Sequence, residues 1–152
     1  MSQKPQQPID HHATSTLEDC RIIGLERHRH ANGSLSVVEN TDAFPFEVKR
    51  VFYLYDVPGD SSRGGHSHHM AAELIISVSG CFDVTLRDSA GEPKVFRLDR
   101  PYKALYVPPG IWRELDNFSS GSVCMVLTSE LYSEEDYVRS IDEFHRLTAH
   151  KL

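Results

Sequence analysis

Two histidines, His66 and His68, stand two residues apart in the glycine-rich segment 63–68. In a β-strand, residues i and i+2 project from the same face, so both imidazoles would line one surface. Glu73 follows five residues after His68 and could return to that surface. Histidine titrates near neutral pH, so the pair could exchange protons with a substrate. Two histidines and a carboxylate could also hold a divalent metal ion.

The spacing of these residues resembles the first motif of the cupin superfamily, His-x-His-x4-Glu-x6-Gly. The matching residues are His66, His68, Glu73 and Gly80. The second cupin motif, Pro-x-Gly-x2-His-x3-Asn, is matched over residues 108–117, but Arg113 stands at its histidine. A guanidinium cannot replace a metal-ligating imidazole, so we expect catalysis without a metal or any other cofactor. Arg113 would suit a substrate anion or an enediolate instead.

Short apolar runs predict the elements that hold these residues, with turns at Asn32-Gly33 and Pro108-Pro109-Gly110 and a loop over 57–65. The predicted strands are 20–25, 34–39, 46–55, 73–78, 82–86, 94–98, 104–107, 111–115 and 122–128. In the strand 82–86, Phe82, Val84 and Leu86 share one face. Strands of this length and spacing indicate a sandwich or a barrel.

One helix is expected at the C-terminal end, over residues 134–146. Ser133 is a favourable N-cap residue and three acidic residues follow it. Tyr137, Ile141 and Phe144 then fall on one face at helical spacing. The predicted fold is all-β, a cupin jelly-roll barrel or sandwich with a short C-terminal helix over residues 19–152. The polar residues 1–18 are expected to form a disordered or loosely docked arm.

Four segments resemble, in order, the cupin-type nucleotide-sugar 3,4-ketoisomerases that act on dTDP-4-keto-6-deoxyglucose. They are RVFYLYDVPG, RGGHSHHMAAELIISVSGCFDVTLRD, LYVPPGIWRELDNFS and LYSEEDYVRSIDEF. The resemblance runs from about residue 34 to residue 146. It implies that the paired histidines lie in the substrate cleft, that no metal is required, and that the chain forms a homodimer. Exchange of the strand 34–39 between subunits is the expected route to that dimer.

The implied reaction moves a ketone from C4 to C3 of the sugar through an enediolate, in the biosynthesis of deoxyamino sugars of the O-antigen or S-layer type. His66 and His68 are the predicted acid and base, in an order that the sequence leaves open. The predicted substrate-binding residues are Arg50, Tyr53, Tyr55, Arg63, Glu73, Trp112 and Arg113. Of Tyr53 and Tyr55, one is expected to face away from the cleft. Asn32 and Arg113 stand where many family members carry arginine and histidine, which bears on the stereochemistry of the product.

Composition limits the function classes. The formal net charge is −6, so bulk electrostatics do not favour nucleic acid, and an anionic substrate would need local cations. No apolar run approaches the ~20 residues of a membrane helix. Cys20, Cys81 and Cys124 lack metal-ligand spacing and fit reduced thiols of a cytoplasmic protein.

Three other functions compete with the ketoisomerase. A related nucleotide-sugar cupin such as a 3,5-epimerase would invert C5 rather than move the carbonyl. A metal-dependent cupin oxygenase would carry stoichiometric iron, against which Arg113 argues. The third alternative is a cupin that binds a sugar without turnover, such as a sugar sensor. A sensor is expected to carry a DNA-binding segment, and none is evident in this sequence.

Overall fold

The computed structural model describes residues 15–149 of the chain. The strands are β1 (Arg21–Gly24), β2 (Glu26–His30), β3 (Gly33–Val37), β4 (Arg50–Leu54), β5 (Arg63–His68), β6 (Glu73–Ser79), β7 (Phe82–Arg87), β8 (Lys94–Leu98), β9 (Lys103–Val107), β10 (Trp112–Asp116), β11 (Val123–Thr128) and β12 (Tyr137–Val138). One α-helix, α1 (Ile141–Ala149), follows them. Short 3-10 turns span Leu17–Asp19 and Glu134–Asp136.

Two five-stranded antiparallel sheets form the body of the protein. The first has the strand order β1-β9-β6-β11-β4, and the second has the order β12-β5-β10-β7-β8. β2 and β3 form a separate two-stranded hairpin. The all-β jelly-roll fold with a C-terminal helix, predicted from the strand spacing, is confirmed.

The inner faces of the two sheets enclose the main hydrophobic core. The strand β7 shows how the sequence encodes this face, because Phe82, Val84 and Leu86 are buried while the residues between them are half-buried. That is the period-2 alternation of a strand with one face on a core. The ring of Phe82 stacks on Phe118 with the ring centroids 5.1 Å apart. The face predicted for this strand is therefore the one that the core covers.

The outer face of the first sheet is covered by the chain that precedes β4. Phe44, Phe46 and Val48 pack against a buried cluster that includes Leu74 and Leu127. The sequence predicts one strand over 46–55, but β4 begins only at Arg50. The first apolar residues of that run pack onto the sheet instead of pairing within it, since an apolar side chain gains from burial in either arrangement.

The motif glycine Gly80 lies at the turn between β6 and β7. Its φ is 72°, and a Cβ there would lie 2.5 Å from the Ser119 hydroxyl and 2.6 Å from that of Ser122. Only glycine avoids both the backbone strain and this overlap. The last residue of the first motif therefore has a structural role, in the turn that connects the two sheets, and not a chemical one.

The C-terminal helix begins later than the sequence predicts. Residues 134–136 form a 3-10 turn and Tyr137 is extended in β12, so the predicted start at residue 134 is wrong. α1 begins after Ser140, whose hydroxyl accepts a hydrogen bond from the Glu143 N–H at 3.3 Å. Pairing of β12 with β5 outweighs the local helix-start pattern. The extended chain places Asp136 and Tyr137 beside the histidine pair.

Most of the predicted N-terminal arm, residues 1–14, lies outside the described residues. Within the described part of the arm, Leu17 packs against the main core and its N–H donates to Asp88 at 2.8 Å. No helix among residues 15–149 is long and apolar enough to span a membrane.

Candidate active site

The two histidines of β5 face one another inside the sandwich. Nε2 of His66 and Nε2 of His68 are 3.1 Å apart, and the two rings are nearly perpendicular. His68 is fully buried and His66 is partly buried. The shared face that the i, i+2 spacing predicts is thus present, with the ring nitrogens within hydrogen-bond distance.

Glu73 reaches this pair from β6 of the opposite sheet. Its Oε1 lies 3.5 Å from Nε2 of His68 and accepts a hydrogen bond from Nη1 of Arg113. Arg113 is directly opposite His66 in the pairing of β10 with β5. Glu73 and Arg113 are 2% and 1% exposed, so their ion pair is buried between the two sheets.

The charge of Arg113 controls the ionisation of its neighbours. Burial alone would raise the pKa of Glu73, but Arg113 and the hydrogen bond from His68 outweigh it and lower that pKa from 4.5 to about 2. Burial lowers the pKa of His66 from 6.5 to about 3, and the positive charge of Arg113 acts in the same direction. At neutral pH the site therefore combines an ionised Glu73 with a neutral His66.

Asp136 is a site residue that the sequence reasoning missed. Its carboxylate accepts hydrogen bonds from Nδ1 of His68 at 3.0 Å, from the Met70 N–H at 2.7 Å and from the Ala71 N–H at 3.2 Å. Burial opposes its ionisation, yet the His68 bond and the backbone donors lower its pKa. The sequence pattern places Asp136 among three acids of a helical first turn. The signal that could have revealed its role is the β-prone Tyr137-Val138 that follows, which favours an extended chain there.

Tyr137 forms one wall of the site. Its ring centroid lies 4.9 Å from that of His66 and 4.4 Å from that of His68. The guanidinium of Arg139 stacks on this same ring, 4.3 Å from the Tyr137 centroid. Tyr132, which is largely exposed, lies 5.7 Å from Tyr137 between ring centroids. The Tyr137 ring therefore covers one side of both imidazoles.

A β-bulge turns Arg63 onto the face of the histidines. Along β5, Arg63 and His66 are three residues apart, whereas their partners Leu115 and Arg113 on β10 are two apart. Because cross-strand partners share a face, the extra residue brings Arg63 into phase with His66. Gly64 has φ 77°, and a Cβ there would lie 2.8 Å from Leu115 Cδ1, so this bulge needs glycine.

The predicted tyrosines and Arg63 line a pocket of about 440 Å³ beside the strand β4. Tyr53 and Tyr55 both lie on the exposed side of β4, while Phe52 and Leu54 pack on the core. The expectation that one of the two tyrosines faces the cleft while the other faces away is wrong, because residues two apart on a strand share a face. Their rings are 5.8 Å apart between centroids.

The structure does not bring Trp112 to the histidines. Trp112 neighbours Arg113 on β10 and so faces the opposite side, where it packs on Phe144 of α1. Its indole N–H donates to Glu114 at 3.0 Å. The assignment of Trp112 to substrate binding is therefore replaced by a role in the packing of the helix. The guanidinium of Arg50 lies 5.5 Å from the centroid of the Tyr132 ring.

One cluster in the described residues has the composition of a metal site. His66, His68 and Glu73 each offer a ligand atom, and these atoms lie within 4.8 Å of one another. The Glu73 oxygen in this group is already held by Arg113, and the guanidinium places a positive charge beside the position that a metal would take. The residues therefore do not fit a divalent cation unless Arg113 moves away.

The fold and the arrangement of the site are those of a cupin-type enzyme suited to proton transfer. A family model described as "FdtA: WxcM-like, C-terminal" matches residues 18–149 of the chain. A TDP-4-oxo-6-deoxy-alpha-D-glucose-3,4-oxoisomerase from Aneurinibacillus thermoaerophilus is 36% identical over 129 residues, which cover 85% of this chain and 92% of that protein. The chain therefore belongs to this FdtA family.

Two solved structures are similar over nearly their whole length. One is a mutant of the 3,4-ketoisomerase QdtA from Thermoanaerobacterium thermosaccharolyticum in complex with TDP-4-keto-6-deoxyglucose. It is 31% identical, with a TM-score of 0.85, and the match covers 90% of this chain and 99% of that chain. The other is the TDP-quinovose 3,4-ketoisomerase WlaRB from Campylobacter jejuni, at 38% identity and a TM-score of 0.79, covering 85% and 98%.

The buried ion pair makes a strong prediction about stability. Arg113→Met would leave the Glu73 carboxylate buried without its counter-charge, which typically costs about 3–5 kcal/mol in the free energy of unfolding. Urea denaturation at pH 7 measures this cost. The matched control is Arg97→Met, which breaks an exposed ion pair with Asp83 and should cost about 0–1 kcal/mol. Equal costs for the two variants would contradict a buried, charged Glu73.

The lowered pKa of His66 predicts a pH dependence of stability. Below its ordinary pKa of 6.5 the unfolded chain binds a proton at His66 that the folded protein, with a pKa of about 3, does not bind. The stability contributed by this group is complete above pH 6.5 and is lost as the pH falls toward 3. Urea denaturation at pH 7.5 and pH 5 should show a larger loss for the wild type than for His66→Asn. The same loss in both proteins would contradict a neutral, buried His66.

Proposed function

We propose that this protein is a sugar 3,4-ketoisomerase that converts TDP-4-keto-6-deoxyglucose into a TDP-3-keto-6-deoxyhexose. The observation that carries the proposal is the His66–His68 pair, set between the Glu73–Arg113 ion pair and the carboxylate of Asp136. Family membership supports it, since the relatives from Aneurinibacillus and Thermoanaerobacterium are named for this reaction.

The reaction needs a base, an acid and an electrophile. A base removes the hydrogen on C3, which the neighbouring C4 ketone acidifies, and the electron pair of the C3–H bond passes to O4 as an enediolate forms. A proton then returns to C4, the O3 hydroxyl gives up its proton, and O4 gains one. The product has a ketone at C3 and a hydroxyl at C4, with no change in overall oxidation state.

The geometry supports a division of these roles. His66 is neutral and its Nε2 can accept a proton, so it is the proposed base at C3. His68 has a carboxylate on each side, Asp136 at Nδ1 and Glu73 near Nε2, so that both of its ring nitrogens face a hydrogen-bond acceptor. His68 is therefore the proposed acid that returns a proton to C4. Arg113 supplies the positive charge that stabilises the enediolate.

The pocket beside β4 is the proposed place for the nucleotide. Arg63 provides a guanidinium for the diphosphate, and Tyr53 and Tyr55 offer aromatic faces for the base. Arg63 lies about 7 Å along β5 from His66, because the bulge fits three residues of β5 opposite two of β10. Arg50 and Glu73 remain proposed substrate contacts. Local cations of this kind are what a chain of net charge −6 needs to hold an anionic substrate.

Incubation of the protein with TDP-4-keto-6-deoxyglucose, followed by NMR of the product, tests the proposal. The expected result is a carbonyl at C3 and a hydroxyl at C4. An inverted C5 with the carbonyl still at C4 would favour the 3,5-epimerase alternative. Unchanged substrate that nonetheless binds the protein would favour a sugar-binding cupin.

Loss of either imidazole should abolish turnover but not folding. General acid–base catalysis typically contributes about 10²–10⁴-fold in rate. The kcat of His66→Asn and that of His68→Asn should therefore each decrease by a factor in this range. His145→Asn is the matched control, because His145 is an exposed histidine on α1. Near-normal kcat in both site variants would refute the catalytic roles.

We also propose that the protein is a homodimer that pairs through the β2–β3 hairpin. The residues of this hairpin are exposed on both faces apart from Val37, and Leu35 is 56% exposed. A large apolar side chain exposed on this hairpin is available to a partner surface. A cytoplasmic location fits the three free thiols of the chain, and a 3-keto sugar is a suitable substrate for amination in deoxyamino-sugar biosynthesis.

Sedimentation at micromolar concentration should give twice the chain mass of 17.2 kDa. Leu35→Asp should shift the protein toward the monomer, because it places a charge in the proposed interface. Val95→Asp, at another exposed apolar position on β8, should leave the mass unchanged. A wild type that sediments as a monomer would contradict the dimer.

A further inference from the structure

The proposed acid, His68, depends on a side chain from a distant part of the sequence. Asp136 lies in the turn that follows β11, and it is 6% exposed although its neighbours Glu134 and Glu135 are exposed. A buried carboxylate costs free energy unless hydrogen bonds and charges compensate for it. Here that compensation comes from one segment, residues 68–71, in which β5 ends.

Three donors converge on the two oxygens of Asp136. Oδ2 accepts from Nδ1 of His68 and from the Ala71 N–H, and Oδ1 accepts from the Met70 N–H. The backbone reinforces this contact, because the Asp136 carbonyl accepts from the His69 N–H at 3.0 Å. Pairing of Tyr137 with His68 continues it into β12. The carboxylate is therefore fixed against the strand that carries the histidine pair.

This geometry determines which nitrogen of His68 can act on a substrate. An ionised carboxylate can only accept, so Nδ1 of His68 must carry a hydrogen. Nε2 is then the nitrogen directed at the site, 3.1 Å from Nε2 of His66 and 3.5 Å from Glu73.

We propose that Asp136 is a positioning residue of the reaction, which holds His68 with Nδ1 protonated and Nε2 facing the substrate. The proposal rests on the proposed function for its kinetic consequence, but the proton position on His68 can be measured without turnover. Residues that orient a functional histidine in this way are typically worth about 10- to 100-fold in activity.

Two substitutions of Asp136 separate the effect of its charge from the effect of its shape. Asp136→Asn keeps the shape of the side chain but removes the charge and one acceptor. Its single amide oxygen cannot serve both the Met70 N–H at Oδ1 and the two donors at Oδ2, so the hydrogen bond that holds Nδ1 of His68 is weakened. Asp136→Glu keeps the charge and changes the length. Glu135→Gln is the matched control, because it removes an exposed charge from the same turn.

Nitrogen-15 NMR of the histidines, with His68 assigned by comparison with His68→Asn, reads the proton position directly. In the wild type Nδ1 of His68 should be protonated, and in Asp136→Asn the protonated fraction at Nδ1 should be smaller. An unprotonated Nδ1 in the wild type would overturn the proposal even if the asparagine variant did not fold.

Steady-state kinetics with TDP-4-keto-6-deoxyglucose give the second readout. We expect kcat of Asp136→Asn to fall by about 10- to 100-fold with KM little changed, Asp136→Glu to retain more turnover than Asp136→Asn, and Glu135→Gln to match the wild type. The opposite order, with the asparagine variant more active than the glutamate variant, would show that only the shape of the side chain matters and would overturn the proposal. A wild type without ketoisomerase activity would refute the proposed function instead, while the NMR result would still decide the role of Asp136.

Discussion

The buried ion pair between Glu73 and Arg113 is the interaction on which the rest of the site depends. It joins β6 of one sheet to β10 of the other across the interior of the sandwich. The positive charge of Arg113 keeps Glu73 ionised and disfavours a proton on His66. Arg113 also takes up the carboxylate oxygen that a metal ion would need in a two-histidine, one-carboxylate site. One residue thus changes a metal-site composition into a site suited to proton transfer.

Such a pair is costly to maintain. Two charges must leave water, and an apolar pair of similar volume would often stabilise a fold as well or better. The pair therefore has a better explanation in chemistry than in stability. The same interior contains a second buried carboxylate, Asp136, and the two carboxylates flank His68 from opposite sides. His66 has no such arrangement, since it faces His68 and the guanidinium. This asymmetry places the two adjacent histidines in different surroundings, which is what the proposed acid and base require.

Much of this arrangement could be predicted from the sequence, because it follows from local rules. The two-residue spacing of His66 and His68 on a strand places them on one face, and alternation identifies the buried side of β7. The cupin spacing by itself singles out Glu73, and the arginine at the histidine position of the second motif singles out Arg113.

The parts that escaped prediction depend on contacts between distant segments. Asp136 follows a serine and two acids, a pattern that favours a helix start, and only the pairing of Tyr137 with β5 makes that stretch extended. The face of Arg63 depends on a bulge, which shifts the strand by one residue and cannot be read from the spacing of Arg63 and His66. A tryptophan beside the site motif suggests a substrate contact. However, Arg113 occupies the inner face of β10, so the indole of its neighbour Trp112 faces α1 on the other side.

The central claim is that His66 removes the C3 proton and that His68, flanked by two carboxylates, delivers the proton to C4. Hydrogen exchange of TDP-4-keto-6-deoxyglucose in deuterated water, followed by NMR at C3 and C4, separates these two steps. His66→Asn is expected to stop exchange at C3. His68→Asn is expected to continue exchanging the C3 hydrogen but to form little product. Continued exchange at C3 in His66→Asn, or its loss in His68→Asn alone, would contradict this claim.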